Sequence, residues 1–386
     1  MTAKQLFSRS LGAAPGRLHF AAHSHHLWPD ASRDGQVECW DDAARLADAK
    51  WDRVMGEVWP EAQAEVAAEL GSGDPSGIVF AANTHDFILR LAAACPRGAG
   101  PLRILTSDGE FHSARRQLAR WEEEGSAVVT RIAAEPFENV AERFLAAARA
   151  GDHDMILISH VLFGSGRIVD QLGELAALAR PDGPWVVIDG YHAFMALDAP
   201  LPPAVAATAF YLGGGYKYAM AGEGLGFLHC PPGFGPRPPL TGWYAEFDDL
   251  TLPPGMVGYA PDAMRFMGAT FDASSLYRFN AVRRMLASEG YDTAAISAHV
   301  AILHGQMIAA LAGSVMAEAE LLNPLNGGPH ARFLAFRDKR AAAWQQSLLD
   351  CDVVTDVRGD VLRVGLGLYH DADDVTAFAR HAATLS

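Results

Sequence analysis

Three residues able to do chemistry stand close together in apolar surroundings: Asp189, His192 and Lys217. Asp189 ends the strand-like run WVVID, and His192 follows it in IDGYHAF. A carboxylate buried at a strand end needs a partner, because unpaired burial is costly. A protonated pyridine nitrogen is one such partner; a helix cap or turn before Gly190 is the simpler reading of the aspartate taken alone. Lys217 lies in YLGGGYKYAMAGEGLGF with no other basic residue nearby. Most lysines are solvated surface groups. A desolvated one gives up its proton more readily and becomes an amine nucleophile. The glycines around it permit close backbone approach to a ligand. An acid for a pyridinium nitrogen and an amine for a Schiff base together describe a pyridoxal-phosphate site.

Such groups must be held by a framework, and the hydrophobic pattern supplies one. GIVFAA (77–82), LRILTS (102–107), AVVTRIA, DMILISHVLF, WVVIDG, AFYLGG and GLGFLHC read as strands. Helical patterns such as DFILRLAAAC, ARRQLARWEEEG, NVAERFLAAARAG and QLGELAALARP fall between them. Continuous apolar strands alternating with helices imply a mostly parallel sheet covered on both faces. From about Ser274 the texture changes: two long helices, the strands ARFLAFR, CDVVTDVR and DVLRVGLG, then a closing helix with an acidic start. The expected fold class is α/β, a large domain with a seven-stranded sheet and a smaller α+β C-terminal domain. In open parallel sheets ligands sit beyond the carboxyl ends of the strands. Asn83, Phe111, Ser159, Asp189 and the GGGYK segment all lie at or just past such ends.

Bulk properties narrow the function. The chain has 386 residues, half of them hydrophobic, and a formal net charge of −15. An acidic surface repels phosphate backbones and anionic lipid, so neither nucleic acid nor membrane is an expected partner. The four cysteines lack CxxC spacing, which suggests reduced thiols rather than a disulfide framework or zinc site. Neither a signal-peptide pattern nor a run of roughly 18 uninterrupted apolar residues appears, and the expectation is a cytoplasmic protein.

Nearly the whole chain resembles fold-type-I pyridoxal-phosphate enzymes of the class V aminotransferase superfamily, and within it kynureninases. The resemblance is carried by LHFAAHSHHLWPD, FAANTHDF, GEFHSARRQ, SHVLFGSGRIVD, IDGYHAF, GGGYKYAMAGEGLGF, TGWYAEF and VRGDVLRVGLGLYHDADDV. It implies pyridoxal 5'-phosphate bound covalently through Lys217, with Asp189 on the ring nitrogen and His192 beside it. It further implies that Phe111 stacks on the ring, that Asn83, Thr84 and Ser159 contact the cofactor, and that Tyr216 binds phosphate and donates a proton. Arg363 would take the substrate carboxylate, and Ser24, His25, His26 and Trp243 would line the substrate pocket. Thr270 would reach the cofactor phosphate of a second copy, which implies a homodimer with the site at the interface. The implied division is an N-terminal segment (1–50) packing with the small domain and the site, a large domain (51–270) and a small domain (271–386).

Plainer readings stand beside these. Phe111 is also an ordinary core residue, Asn83–Thr84 an N-cap, Arg363 a strand arginine in an ion pair, and Trp243 a loop-packing aromatic. The sequence also departs from the kynureninase pattern. His23, His25 and His26 crowd the opening segment, His85 follows Thr84, and Gly215 stands where a hydroxyl residue is usual. No carboxylate or cysteine has metal-ligand spacing to the three histidines, so one or two of them, His25 and His26, are assigned to substrate contact rather than to a metal. The resulting expectation is a hydrolase cleaving Cβ–Cγ of kynurenine or a related γ-keto amino acid. The alternatives are a class V aminotransferase or β-lyase, and a pyridoxal-phosphate-binding protein without turnover. A desulfurase would need a loop cysteine, and Cys351, the one candidate, begins an apolar strand in this reading.

Overall fold

The computed structural model describes residues 3–247 and 251–386. Seven strands form the large sheet, in the spatial order Ile78–Ala81, Gly226–His229, Ala209–Gly214, Trp185–Asp189, Met155–Ser159, Leu102–Ser107 and Ala127–Ile132. Six run in one direction; Gly226–His229 is antiparallel to both of its neighbours. The three central strands, Met155–Ser159, Trp185–Asp189 and Ala209–Gly214, are buried at every residue. That is why they read as unbroken apolar runs. The edge strand Ala127–Ile132 buries only Ala127 fully.

Helices follow the strands and set the rim of the sheet. Thr84–Ala94 starts where the Asn83 side chain accepts the Asp86 N–H at 3.0 Å. His112–Glu123 starts directly after Phe111. Both helices therefore begin at the carboxyl ends of strands, with their first backbone N–H groups directed there.

The C-terminal part is a four-stranded antiparallel sheet of Glu320–Leu321, Phe333–Arg337, Asp356–Arg358 and Val361–Gly365 with helices around it. Thr293–Ala310 is long and apolar enough, by composition, to cross a membrane. In the fold its Ile296, Val300, Leu303 and Met307 are buried, and it packs on the closing helix Ala372–Ala382. The N-terminal segment lies on this part of the protein. Leu18–His19 pairs parallel with Val353–Val354, and Lys4 bridges Asp371 and Asp374 at 2.7 and 2.8 Å. Helix Asp30–Leu46 packs on Ser274–Ser288, where Gly35 permits the approach; a Cβ there would stand 2.5 Å from the Tyr277 carbonyl oxygen.

Several sequence expectations need correction. DMILISHVLF is a strand only to Ser159. Beyond it the chain folds back, bridging Val161 to Ile168 and bonding Leu162 N–H to the Arg167 carbonyl at 2.8 Å. CDVVTDVR divides into Val353–Val354 and Asp356–Arg358, which serve different sheets. Cys351 is not part of a strand; it is exposed in the turn after helix Ala341–Leu349. QLGELAALARP forms only the short helix Leu172–Ala176.

Candidate active site

A cavity of about 140 Å³ opens at the carboxyl ends of the central strands. Its floor is Asp189 and Ser159, directly paired across neighbouring parallel strands. Lys217 enters from the turn after Ala209–Gly214, and Tyr191 and His192 from the turn after Asp189. Asn83 and Thr84 approach at the start of their helix, with Phe111 and Phe163 on the remaining wall.

Lys217 is 4% exposed, and its Nζ lies 2.7 Å from His192 Nε2. Burial lowers the amine to about 7; Asp189 opposes that shift and Arg363 adds to it. Burial, helped by Lys217, holds His192 well below its ordinary value, so the ring is neutral. Aromatic faces surround the amine: Tyr191 at 4.7 Å, Phe111 at 5.6 Å and Tyr216 at 5.7 Å from ring centroid to Nζ. Tyr216 is pushed up to about 12, first by burial and then by Asp189.

The polar groups left over here define what the cavity can hold. Asp189 Oδ1 accepts the Tyr191 N–H at 3.0 Å, and among the described residues no cation bonds the carboxylate. Burial raises its pKa, against the pull of that N–H and of Lys217. A bound cation beside it would restore the charged form. His192 Nδ1 is buried without a hydrogen-bond partner. The backbone around Asn83 is brought close by Gly226, where a Cβ would stand 2.6 Å from the Asn83 carbonyl carbon. The helix N-terminus that follows is an anion site by its free N–H groups and dipole. A pyridinium partner, an amine nucleophile, an anion cradle and an aromatic wall together fit pyridoxal 5'-phosphate.

Other expected site residues lie elsewhere. Trp243 is 44% exposed and does not line the cavity; it packs on Tyr244 and Phe247, and its Nε1 donates to Thr270 Oγ1 at 3.2 Å. Thr270 shares that exposed position. Arg363 is fully buried behind Phe163. Its guanidinium pairs with Asp356 at 2.9 Å and donates to the Phe163 carbonyl, in the interior. The histidines diverge. His25 is exposed and stacks on Tyr216 at 5.2 Å, with Ser24 Oγ 3.4 Å from its Nδ1. His26 turns into the core, its Nδ1 bonded to the Leu27 carbonyl and its ring edge-on to Tyr369. His23 is buried, stacked on Phe333 and packed against Gly365, with no partner for either nitrogen.

Tyr191 and Phe163 line the cavity and Glu110 bonds its Ser159 from behind, and sequence reasoning passed over all three. Tyr191 sits between two residues already singled out, in IDGYHAF, and the apolar flank hides its role. Glu110 precedes Phe111 in a turn, where an acid looks solvated; it is 1% exposed.

The fold is that of fold-type-I pyridoxal-phosphate enzymes, and it resembles a cystine C–S lyase and cysteine desulfurases of known structure. The cystine C–S lyase C-DES, in complex with cysteine persulfide, superposes with a TM-score of 0.79 at 16% identity, covering 97% of this chain and 99% of that one. The cysteine desulfurase CsdA of Escherichia coli superposes at 0.77 and 16% identity, covering 99% and 97%. By sequence, the chain is similar to two isopenicillin N epimerases. That of Streptomyces clavuligerus is 33% identical over 201 residues, 49% of this chain and about half (48%) of the relative. That of Amycolatopsis lactamdurans is 26% identical over 384 residues, 89% of each. Neither relative is a kynureninase. No protein-family model matches the chain.

Proposed function

We propose that the protein is a pyridoxal-phosphate-dependent enzyme that removes and returns the Cα proton of an amino acid, an epimerase or racemase. The observation that carries this reading is the buried, near-neutral Lys217 amine, 2.7 Å from a neutral His192 and in the same cavity as Asp189. The cofactor, when bound, supplies an electron sink for the electrons left at Cα. Asp189 would hold the ring nitrogen charged and so keep that sink effective. The N-terminus of helix Thr84–Ala94 would anchor the phosphate. Phe111 and Tyr191 wall the cavity and exclude water. Lys217 Nζ takes up and returns the proton, because an amine titrating near neutrality is a competent general base and, once protonated, a competent acid. His192 Nε2 holds the amine in place.

The names of the two sequence relatives favour epimerisation over hydrolysis of kynurenine, the transamination or β-elimination readings falling between them. Arg363, paired with Asp356, stands behind the Phe163 wall of the cavity. Thr270 is exposed and outside its own cavity, as a residue serving a second copy would be, and we place the protein as a homodimer.

The test is purification with cofactor, an absorbance spectrum, and incubation in deuterium oxide with single-enantiomer amino acids, isopenicillin N and kynurenine. Deuterium at Cα with loss of optical purity supports the proposal. Anthranilate and alanine from kynurenine would return the hydrolase reading, and oxo acid formation the aminotransferase. A protein that never takes up the cofactor would refute all three.

A further inference from the structure

Glu110 is an acid that the proposed chemistry does not use. It is 1% exposed, with Ser107 Oγ donating to Oε1 and Ser159 Oγ donating to Oε2, each at 2.5 Å. Among the described residues no cation pairs with it; the charged group facing it is Asp189, on the strand next to Ser159. Ser159 lines the cavity, so Glu110 reaches the cavity through one hydroxyl.

We propose, resting on the cofactor assignment above, that Glu110 is a proton store for the site and acts through Ser159 as a positioning residue. When Glu110 is ionised it only accepts, and the single proton of Ser159 is committed to it. Ser159 then offers the cavity lone pairs alone. When Glu110 is neutral it donates to one serine. Ser107 oxygen already accepts the Gly109 N–H at 3.2 Å, whereas Ser159 oxygen accepts nothing among the described residues. Ser159 is thus the better acceptor, and its own proton turns toward the cavity. One proton is exchanged with water, only O–H bonds change, and Ser159 switches from acceptor to donor toward the cofactor. Burial sets the range: it pushes Glu110 up to about 7, against the pull of Ser107 and Ser159, with Asp189 adding to the rise. The switch therefore works near neutral pH.

The experiment is a pH titration of the bound-cofactor absorbance in the wild-type holoenzyme, Glu110→Gln and Ser159→Ala. Whatever Lys217 contributes is common to all three proteins, so the differences isolate the relay. The expected result is a near-neutral component in the wild type, over and above any transition the variants share, that is absent from both variants and from the double variant alike. A glutamine of the same shape preserves the packing beside Phe111, and a purely structural role would leave the pH profile unchanged. Glu110→Gln that binds cofactor and titrates as the wild type does would overturn the proposal while leaving the cofactor assignment intact. A wild type that binds no cofactor would overturn both.

Discussion

Lys217 Nζ and His192 Nε2 are 2.7 Å apart, and both groups are buried. A lysine ammonium hydrogen-bonded to a neutral imidazole gains no counter-charge, so burial dominates and the amine is held near neutrality. Acylation of the apoprotein by an amine-directed reagent, followed by mass spectrometry, checks this. Labelling of Lys217 should rise through pH about 7 and then level off. Lys4, whose pKa is raised by its two carboxylates, should go on rising to much higher pH. Parallel profiles for the two lysines would contradict the assignment.

Among the described residues the Asp189 carboxylate is bonded by the Tyr191 N–H and by no cation. Asp189→Asn should keep the shape and remove the charge. A charge-assisted hydrogen bond is worth about 1.5–3 kcal/mol, so cofactor affinity should fall by roughly tenfold or more. Equilibrium dialysis with pyridoxal phosphate measures it. An unchanged affinity would mean that Asp189 does not meet the ring nitrogen.

Gly226 is needed where the backbone of Asn83 passes it. In Gly226→Ala the new methyl would displace the segment that begins the anion-binding helix. Overpacking of this kind costs about 1–3 kcal/mol. The loss should show both as weaker cofactor binding and as a lower melting temperature of the holoenzyme.

Arg363 and Asp356 form an interior pair. Asp356→Ala would leave a buried cation alone, which costs about 3–5 kcal/mol. The double variant Asp356→Ala, Arg363→Met should recover much of that loss. Denaturant unfolding of the four proteins in the cycle gives the coupling. Additive losses would show that the two residues are not paired in solution.

Buried imidazoles should make the protein acid-labile. Burial lowers His26 and His370 to about 3 and His160 to about 4. In the unfolded chain each binds a proton near its ordinary value of about 6.5. Between those limits the unfolded state holds more protons. Stability is therefore complete above about pH 6.5 and falls on acidification, by at most about 1.4 kcal/mol per imidazole per pH unit. Chemical denaturation of the apoprotein from neutral to mildly acidic pH should show this fall, with a smaller slope in His160→Gln.

Much of the fold is legible because its signals are local. Strands such as Met155–Ser159 and Trp185–Asp189 are buried at every residue, so the sequence carries them as apolar runs broken only at their last residue. The N-terminal helix Asp30–Leu46 is less visible. It is largely polar, and its packing on Ser274–Ser288 depends on Gly35 rather than on an apolar stripe.

The candidate site divides in the same way. Asp189, His192 and Lys217 stand out in sequence because each is a polar residue at an abrupt break in an apolar pattern, and the structure brings all three to one cavity. Three things come only from the tertiary structure. Arg363 is spent on Asp356, the three N-terminal histidines go to three different neighbours, and Trp243 turns away from the cavity to stack on its own loop. Glu110, 49 residues from Ser159 in sequence, becomes part of the site only when the parallel sheet sets their strands together. Sequence reports which residues can be buried and which could do chemistry. Which of them meet depends on the crossing of segments far apart in the chain, and that is settled by packing.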